Sequence, residues 1–233
     1  MFDVNTFASF IHLERGLLPE LVEDLKGYGI DGMLLSPLDP EDYTSSCFLN
    51  HALLRAVEEM HGCYVALAFG GNAQGLASSS KVKALKAYPP AERRQLELAA
   101  ELCKRLGLPL VISLRVAWGG ACIDIDTLRP ILSNVGGLKI VLSGVNYTET
   151  RWLVSEVASL PNVYVEISMF QQMEGVKFLV KRLGVDRVLF GTAYPLQSPY
   201  ASLLKLLHSG LSETDVEKVA RRNAMELFGL EGY

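Results

Sequence analysis

The sequence is poor in the residues that most often carry chemistry. Only four histidines occur in 233 residues, His12, His51, His61 and His208. The four cysteines, Cys47, Cys63, Cys103 and Cys122, are widely spaced and form no C-x-x-C pair. That excludes a zinc knuckle and a disulfide framework, and a reducing, cytoplasmic setting is expected. No run of Lys or Arg exceeds two residues, and the formal net charge is -4. A nucleic-acid partner therefore lacks the basic field it needs. No apolar run approaches the length of a bilayer span and no basic segment precedes one, so a soluble, unprocessed chain without a membrane partner is expected. A Gly-rich phosphate turn is also missing after the first apolar segment, where "TFASFIHLERG" stands, which counts against an open dinucleotide-binding sheet.

What is present is a large apolar fraction in a regular rhythm. With 49% hydrophobic and 21% charged residues, the chain can bury one sizeable core, and residues 1–233 read as a single domain. Short runs rich in Val, Ile and Leu alternate with longer amphipathic segments, the pattern of parallel strands each followed by a helix. Eight strands are predicted, over 2–7, 32–37, 63–69, 82–88, 109–115, 139–145, 163–168 and 187–193. Between most of them lie segments with apolar residues at three- and four-residue spacing, such as "AERRQLELAAELCKRLG". Eight βα units predict a closed TIM-type (β/α)8 barrel, with an open doubly wound sheet as the alternative. The third unit is irregular: "GGNAQGLASSSK" is too short and too rich in Gly and Ser for a full helix, so the third helix should be missing or reduced. The apolar surface it leaves uncovered is a place for self-association, so a homo-oligomer is possible. After the last strand, "SETDVEKVARRNAMELFG" predicts an extra C-terminal helix opened by Ser212 and closed at Gly229.

Strand alternation then sorts the polar residues. In such a barrel the site lies at the C-terminal strand ends, and side chains alternate between interior and helix layer. If Asn5 points inward, so do Asp3 and Phe7, and likewise Ala84 with Lys86, Gly144 with Asn146, and Gly191 with Ala193. The mouth should display Asn5, Lys86, Ser113, Arg115, Asn146, Glu166 and Ser168, with Thr192 and Tyr194 on the last loop. It is polar and free of histidine. Cys122, in "WGGACID", has no histidine partner at a strand end and reads as a structural thiol. Trp118 and Trp152 read as packed aromatics, Trp118 alternatively as a roof over the pocket.

These segments, in this order, resemble the amidohydrolase-related branch of the metal-dependent hydrolase superfamily, which includes decarboxylases and lactonases acting on aromatic or carboxylated substrates. "FDVNTF" is similar to its opening Asp-x-His-x-His strand, and "FLNHALLRAVEE" to its Asn-led helix. "LGLPLVISL", "LKIVLSGV" and "LPNVYVEIS" are similar to its fifth, sixth and seventh strands, and "VARRNAMELFGL" to its terminal helix. "DRVLFGTAYP" resembles its most specific run, Asp-Arg-apolar-apolar-Phe-Gly-Ser/Thr-Asp-Tyr-Pro.

The resemblance implies a divalent metal held by two histidines on the first strand, one each on the fifth and sixth, and an aspartate on the eighth. At those positions stand Asn5, Phe7, Ser113, Gly144 (Ser143 if the match slips by one) and Ala193. Phe, Gly and Ala have no donor atom, and Asn and Ser are poor ones, so no cofactor is expected. Ala193 takes the place of the family's metal-binding, proton-shuttling aspartate. Among the histidines only His12 falls near the mouth. Lys86 stands near a lysine that bridges two metals in some relatives. Here it reads instead, with Arg115 and Glu166, as a site for a small anion or as an internal charge pair with Glu166. Three functions follow from these residues. They are a pseudoenzyme or small-anion binder, a metal-independent hydrolase or carboxy-lyase using Lys86, Arg115 and Glu166, and a metal-dependent hydrolase with a rebuilt site.

Overall fold

A computed structural model of the chain describes residues 1–230. Eight strands, β1 (Phe2–Ser9), β2 (Gly32–Leu38), β3 (Cys63–Ala68), β4 (Val82–Ala87), β5 (Leu110–Ser113), β6 (Ile140–Ser143), β7 (Val163–Glu166) and β8 (Val188–Leu189), pair in parallel in sequence order. Only two residues of the last expected strand have full ladder geometry. Its continuation nevertheless runs along β1, where Val4 N donates to Phe190 O (3.0 Å), Ala193 N to Asn5 O (2.8 Å) and Phe7 N to Tyr194 O (2.8 Å). These bonds bring the sheet back on itself as a (β/α)8 barrel.

The outer layer is α1 (Phe10–Glu14), α2 (Leu18–Gly27), α3 (Asn50–Ala56), α4 (Ala73–Leu76), α5 (Arg93–Leu106), α6 (Ile125–Asn134), α7 (Thr150–Ser155), α8 (Gly175–Leu183), α9 (Pro199–Leu207), α10 (Glu213–Glu217) and α11 (Asn223–Phe228). Helix α5 shows how the sequence sets this layer. Leu96, Ala99, Ala100, Leu102 and Cys103 form one buried stripe, and Gly107, at φ +68°, ends the helix in the left-handed conformation that costs glycine little. The third unit is reduced to the four residues of α4. Its Ala73 is buried, and no large apolar side chain of 70–81 is exposed. The exposed large apolar residues include Phe10 and Ile11 on α1, Leu98 on α5, Val154 on α7 and three on α9, with Phe48, Trp118, Tyr147 and Met173 on connecting segments. The predicted C-terminal helix is interrupted by a π turn over 218–222, from which the Val219 carbonyl accepts Phe190 N at 3.0 Å. A π turn offsets the helical ladder, and the carbonyl it leaves is spent on anchoring the last strand. No helix among the described residues is long and apolar enough to cross a membrane.

Three layers fill the barrel. At the N-terminal end Phe2, Val4, Leu34, Ala84, Val111 and Leu189 pack together and are plugged by Leu227 and Phe228 of α11. At the C-terminal end Phe7, Leu38, Tyr88, Val116 and Ala193 form a second apolar cluster. Polar side chains lie between them. The strand alternation expected for β1 needs correction: Phe2 and Val4, not Asp3, belong to the inner apolar layer. The β1–β2 register shifts between Asp3 and Thr6, and that irregularity changes which face the following residues occupy, turning Asn5 and Phe7 toward the axis.

Candidate functional site

The polar layer centres on Lys86, near the C-terminal end of β4. Its Nζ donates to Asn5 Oδ1 at 2.7 Å and lies 4.3 Å from the centre of the Phe7 ring and 5.5 Å from that of Tyr88. The Asn5 amide in turn donates to Glu166 Oε1 (3.2 Å) and to Ser168 Oγ (3.3 Å). Glu166 also accepts from Gly144 N (2.8 Å), Ser168 N (2.5 Å) and Ser168 Oγ (2.8 Å). Asn5 thus bridges the ammonium and the carboxylate, and Lys86 and Glu166 are both 0% exposed. Burial pulls the Lys86 amine down to about 7, against the pull of the Glu166 and Asp3 carboxylates. Burial also raises Glu166, although the donors from Gly144 and Ser168 oppose it.

Arg115 belongs to a different cluster. Its guanidinium makes two bonds of 2.8 Å to the Glu149 carboxylate and one of 2.6 Å to Gly144 O. Glu149 further accepts Asn146 N (2.8 Å) and Thr148 Oγ1 (2.6 Å), and Asn146 Oδ1 accepts Thr148 N (2.8 Å). Burial alone would raise the Glu149 carboxyl, but bonds from Arg115, Thr148 and Asn146 hold it below its ordinary value. Glu149 is the partner that strand parity missed. Its signal is local, since "NYTE" at 146–149 has the spacing of a capping box, an Asn followed by Glu three residues on.

Asp3 is the second omission. It accepts Asn5 N (2.9 Å), Thr192 N (3.0 Å) and the Thr192 hydroxyl, so it ties β1 to the last strand beneath the polar layer. Burial raises its pKa despite these donors. Thr192 is therefore engaged below, and Tyr194 turns outward, its hydroxyl donating to Asp24 on α2 at 2.9 Å. Ser113 and Ser143 face each other with their Oγ atoms 2.9 Å apart.

Gly144 carries no side chain into the interior. It sits at φ +68°, and a Cβ there would lie 2.1 Å from Arg115 O. Of the two alternatives, Ser143 is the one that faces Ser113, the two being paired across β5 and β6. Gly144→Ala is expected to destabilise the fold by at least about 3 kcal/mol, from left-handed strain plus a backbone clash. Chemical denaturation checks it, and a near-neutral result would mean that the β6 turn relaxes freely.

The donor set does not fit a divalent metal. Phe7 directs its ring at Lys86, Ala193 packs in the upper apolar cluster, and the two serines satisfy each other. Among the described residues no group of three or more His, Cys, Asp or Glu could hold a metal ion. His12 is taken up by Ser9, whose Oγ lies 2.7 Å from its Nδ1, and His51, His61 and His208 are exposed. Cys122 is exposed, Trp118 is half exposed and Trp152 is buried. Ala193 keeps φ +58°, a region where Asp and Asn are enriched among non-glycine residues, as suits the aspartate that the resemblance places there.

Comparison with known proteins agrees with this geometry. The 5-carboxyvanillate decarboxylase of Sphingomonas paucimobilis is similar over 99% of both chains, with a TM-score of 0.73 and 14% identity. A 2,6-dihydroxybenzoate decarboxylase from Rhizobium is similar over 99% of both chains, with a TM-score of 0.69 and 14% identity. An amidohydrolase 2 from Bifidobacterium longum subsp. infantis covers 99% of this chain and 100% of its own, with a TM-score of 0.67 and 13% identity. No curated protein matches by sequence. At these identities the structures establish the shared fold, while a sequence model of the family matches residues 14–230, nearly the whole chain. With that match the chain belongs to the amidohydrolase family, in a form whose barrel centre holds a lysine, an asparagine and a glutamate.

Proposed function

We propose that this chain is a pseudoenzyme of the amidohydrolase family, one that keeps the barrel and has replaced the metal centre with an internally satisfied polar network. One observation carries the reading. Lys86 Nζ lies in the polar layer, bonded to Asn5 at 2.7 Å and covered by Phe7, with no exposed surface on Lys86 or Glu166. A cation entering there would meet the Lys86 amine, the Asn5 amide and the Phe7 ring, with Glu166 as the one carboxylate among them and no imidazole, so the donor set opposes it.

Small-anion binding is the second reading, and it rests on Arg115, whose side chain keeps 14% exposure at the rim. An incoming carboxylate would have to displace Glu149 from the guanidinium fork.

Equilibrium dialysis against zinc and manganese, followed by elemental analysis, tests the proposal together with assays on 5-carboxyvanillate and 2,6-dihydroxybenzoate. Metal far below one equivalent and no decarboxylation above the uncatalysed rate are expected. One metal per chain that is lost in Glu166→Ala, or turnover of either compound, would overturn the reading.

A further inference from the structure

The sealed axis does not exhaust the C-terminal face. A cavity of about 170 Å³ opens beside it, between the ends of β3 and β4, where the βα unit has shrunk to the single turn of α4. Its walls include Tyr43 and Cys47 from the segment after β2, Phe69 after β3, Tyr88 and Pro90 after β4, and Gln95 in the first turn of α5. No charged residue lines it. Tyr88 separates it from the polar layer: the ring stacks within reach of Lys86 (5.5 Å), and its hydroxyl is committed to Pro37 O at 2.6 Å.

We propose that this cavity is a binding site for a small, uncharged, single-ring aromatic molecule. Size is the first reason, because its volume is close to the roughly 150 Å³ that holds one benzene-sized ring, and the larger share of its wall is apolar. Wall chemistry is the second. Tyr43 and Tyr88, with ring centroids 6.5 Å apart and tilted by 37°, form one aromatic wall of the site. The Cys47 sulfur adds a polarisable contact. Charge is the third reason: a carboxylate placed here would lose its hydration with no cation among the lining residues to compensate. The exposed Gln95 amide at the rim accounts for one polar substituent, such as a hydroxyl, on the guest. The site is distinct from the barrel axis and does not depend on whether the axis is inert.

Ligand-observed saturation-transfer NMR with phenol, cyclohexanol and benzoate tests it. Phenol should show saturable transfer at concentrations up to about 10 mM, with benzoate at least about tenfold weaker and cyclohexanol intermediate. Ala91→Leu, at a partly exposed wall position, should fill the cavity and abolish phenol transfer, and Tyr43→Ala should weaken it, while Trp118→Ala on the loop after β5 should leave it unchanged. The proposal is overturned by absent phenol transfer in the parent, by benzoate binding as well as phenol, by transfer that survives both wall variants in folded protein, or by equal loss in Trp118→Ala.

Discussion

Glu149→Ala is expected to destabilise the protein by about 3 kcal/mol, because it leaves the Arg115 guanidinium largely buried without a counter-charge. The carboxylate accepts four bonds, two from Arg115 and one each from Asn146 N and Thr148 Oγ1. With side-chain exposures of 14% and 8%, the pair is mostly shielded from solvent, but some water remains to temper the loss. Glu149→Gln retains one accepting oxygen and the side-chain shape, so about half that cost is expected. The same substitution distinguishes an internal ion pair from an anion site. In Glu149→Ala the vacated fork faces a space of carboxylate size, and acetate should restore part of the lost stability by mass action. The parent should not respond. Urea denaturation with and without acetate at constant ionic strength measures both. If acetate stabilises the parent as strongly as the variant, Arg115 serves an outside anion and the small-anion reading gains. Should Glu149→Ala prove as stable as the parent, the pair contributes nothing and the account of this cluster is wrong.

Lys86 gives the second large effect, read as a slope against pH. Its amine titrates near 7 in the fold, against 10.5 when free. Between those values the unfolded chain binds the extra proton, so stability rises with pH across the window and the penalty is fully present below the folded value. From pH 7 to 8.5 this amounts to about 1–2 kcal/mol, and full deprotonation would recover a few more. Within the window Lys205, which bonds to Ile167 O and Ser168 O and is lowered to about 8, adds to the rise. The buried thiols Cys63 and Cys103, raised to about 11 and 12, reverse it at higher pH. Asp3 and Glu166, whose values are raised, contribute with the opposite sign, since stability is lost as pH climbs from the ordinary carboxyl value toward their folded values. Lys86→Met should remove the larger part of the rise between pH 7 and 8.5, leaving the part that Lys205 supplies. A parent whose stability is level there, or a variant that keeps the full rise, would show that the ammonium is not held in a dry environment.

Much of the architecture was written in the chain itself. Short continuous apolar runs alternating with segments of helical periodicity dictate eight βα units, because a parallel strand buried on both faces must be apolar throughout and each crossover must present one apolar stripe. The short third unit and the missing metal ligands were legible for the same local reason. A Gly- and Ser-rich dozen residues cannot form a covering helix, and Phe7 or Ala193 cannot donate a lone pair. The partners of the site residues were not legible. Parity placed Lys86, Arg115 and Glu166 in one mouth, whereas the fold gives Arg115 to Glu149 and puts Asn5 between the other two. A register shift in β1 reversed the expected inner face below Asn5, and the turn at Gly144 moved the inward position to Ser143. Each of these depends on which strands lie side by side and how far they are staggered. Residues 81 to 189 positions apart meet at hydrogen-bond distance only after closure, so the sequence determined which groups were available and the tertiary structure decided which of them neutralise one another.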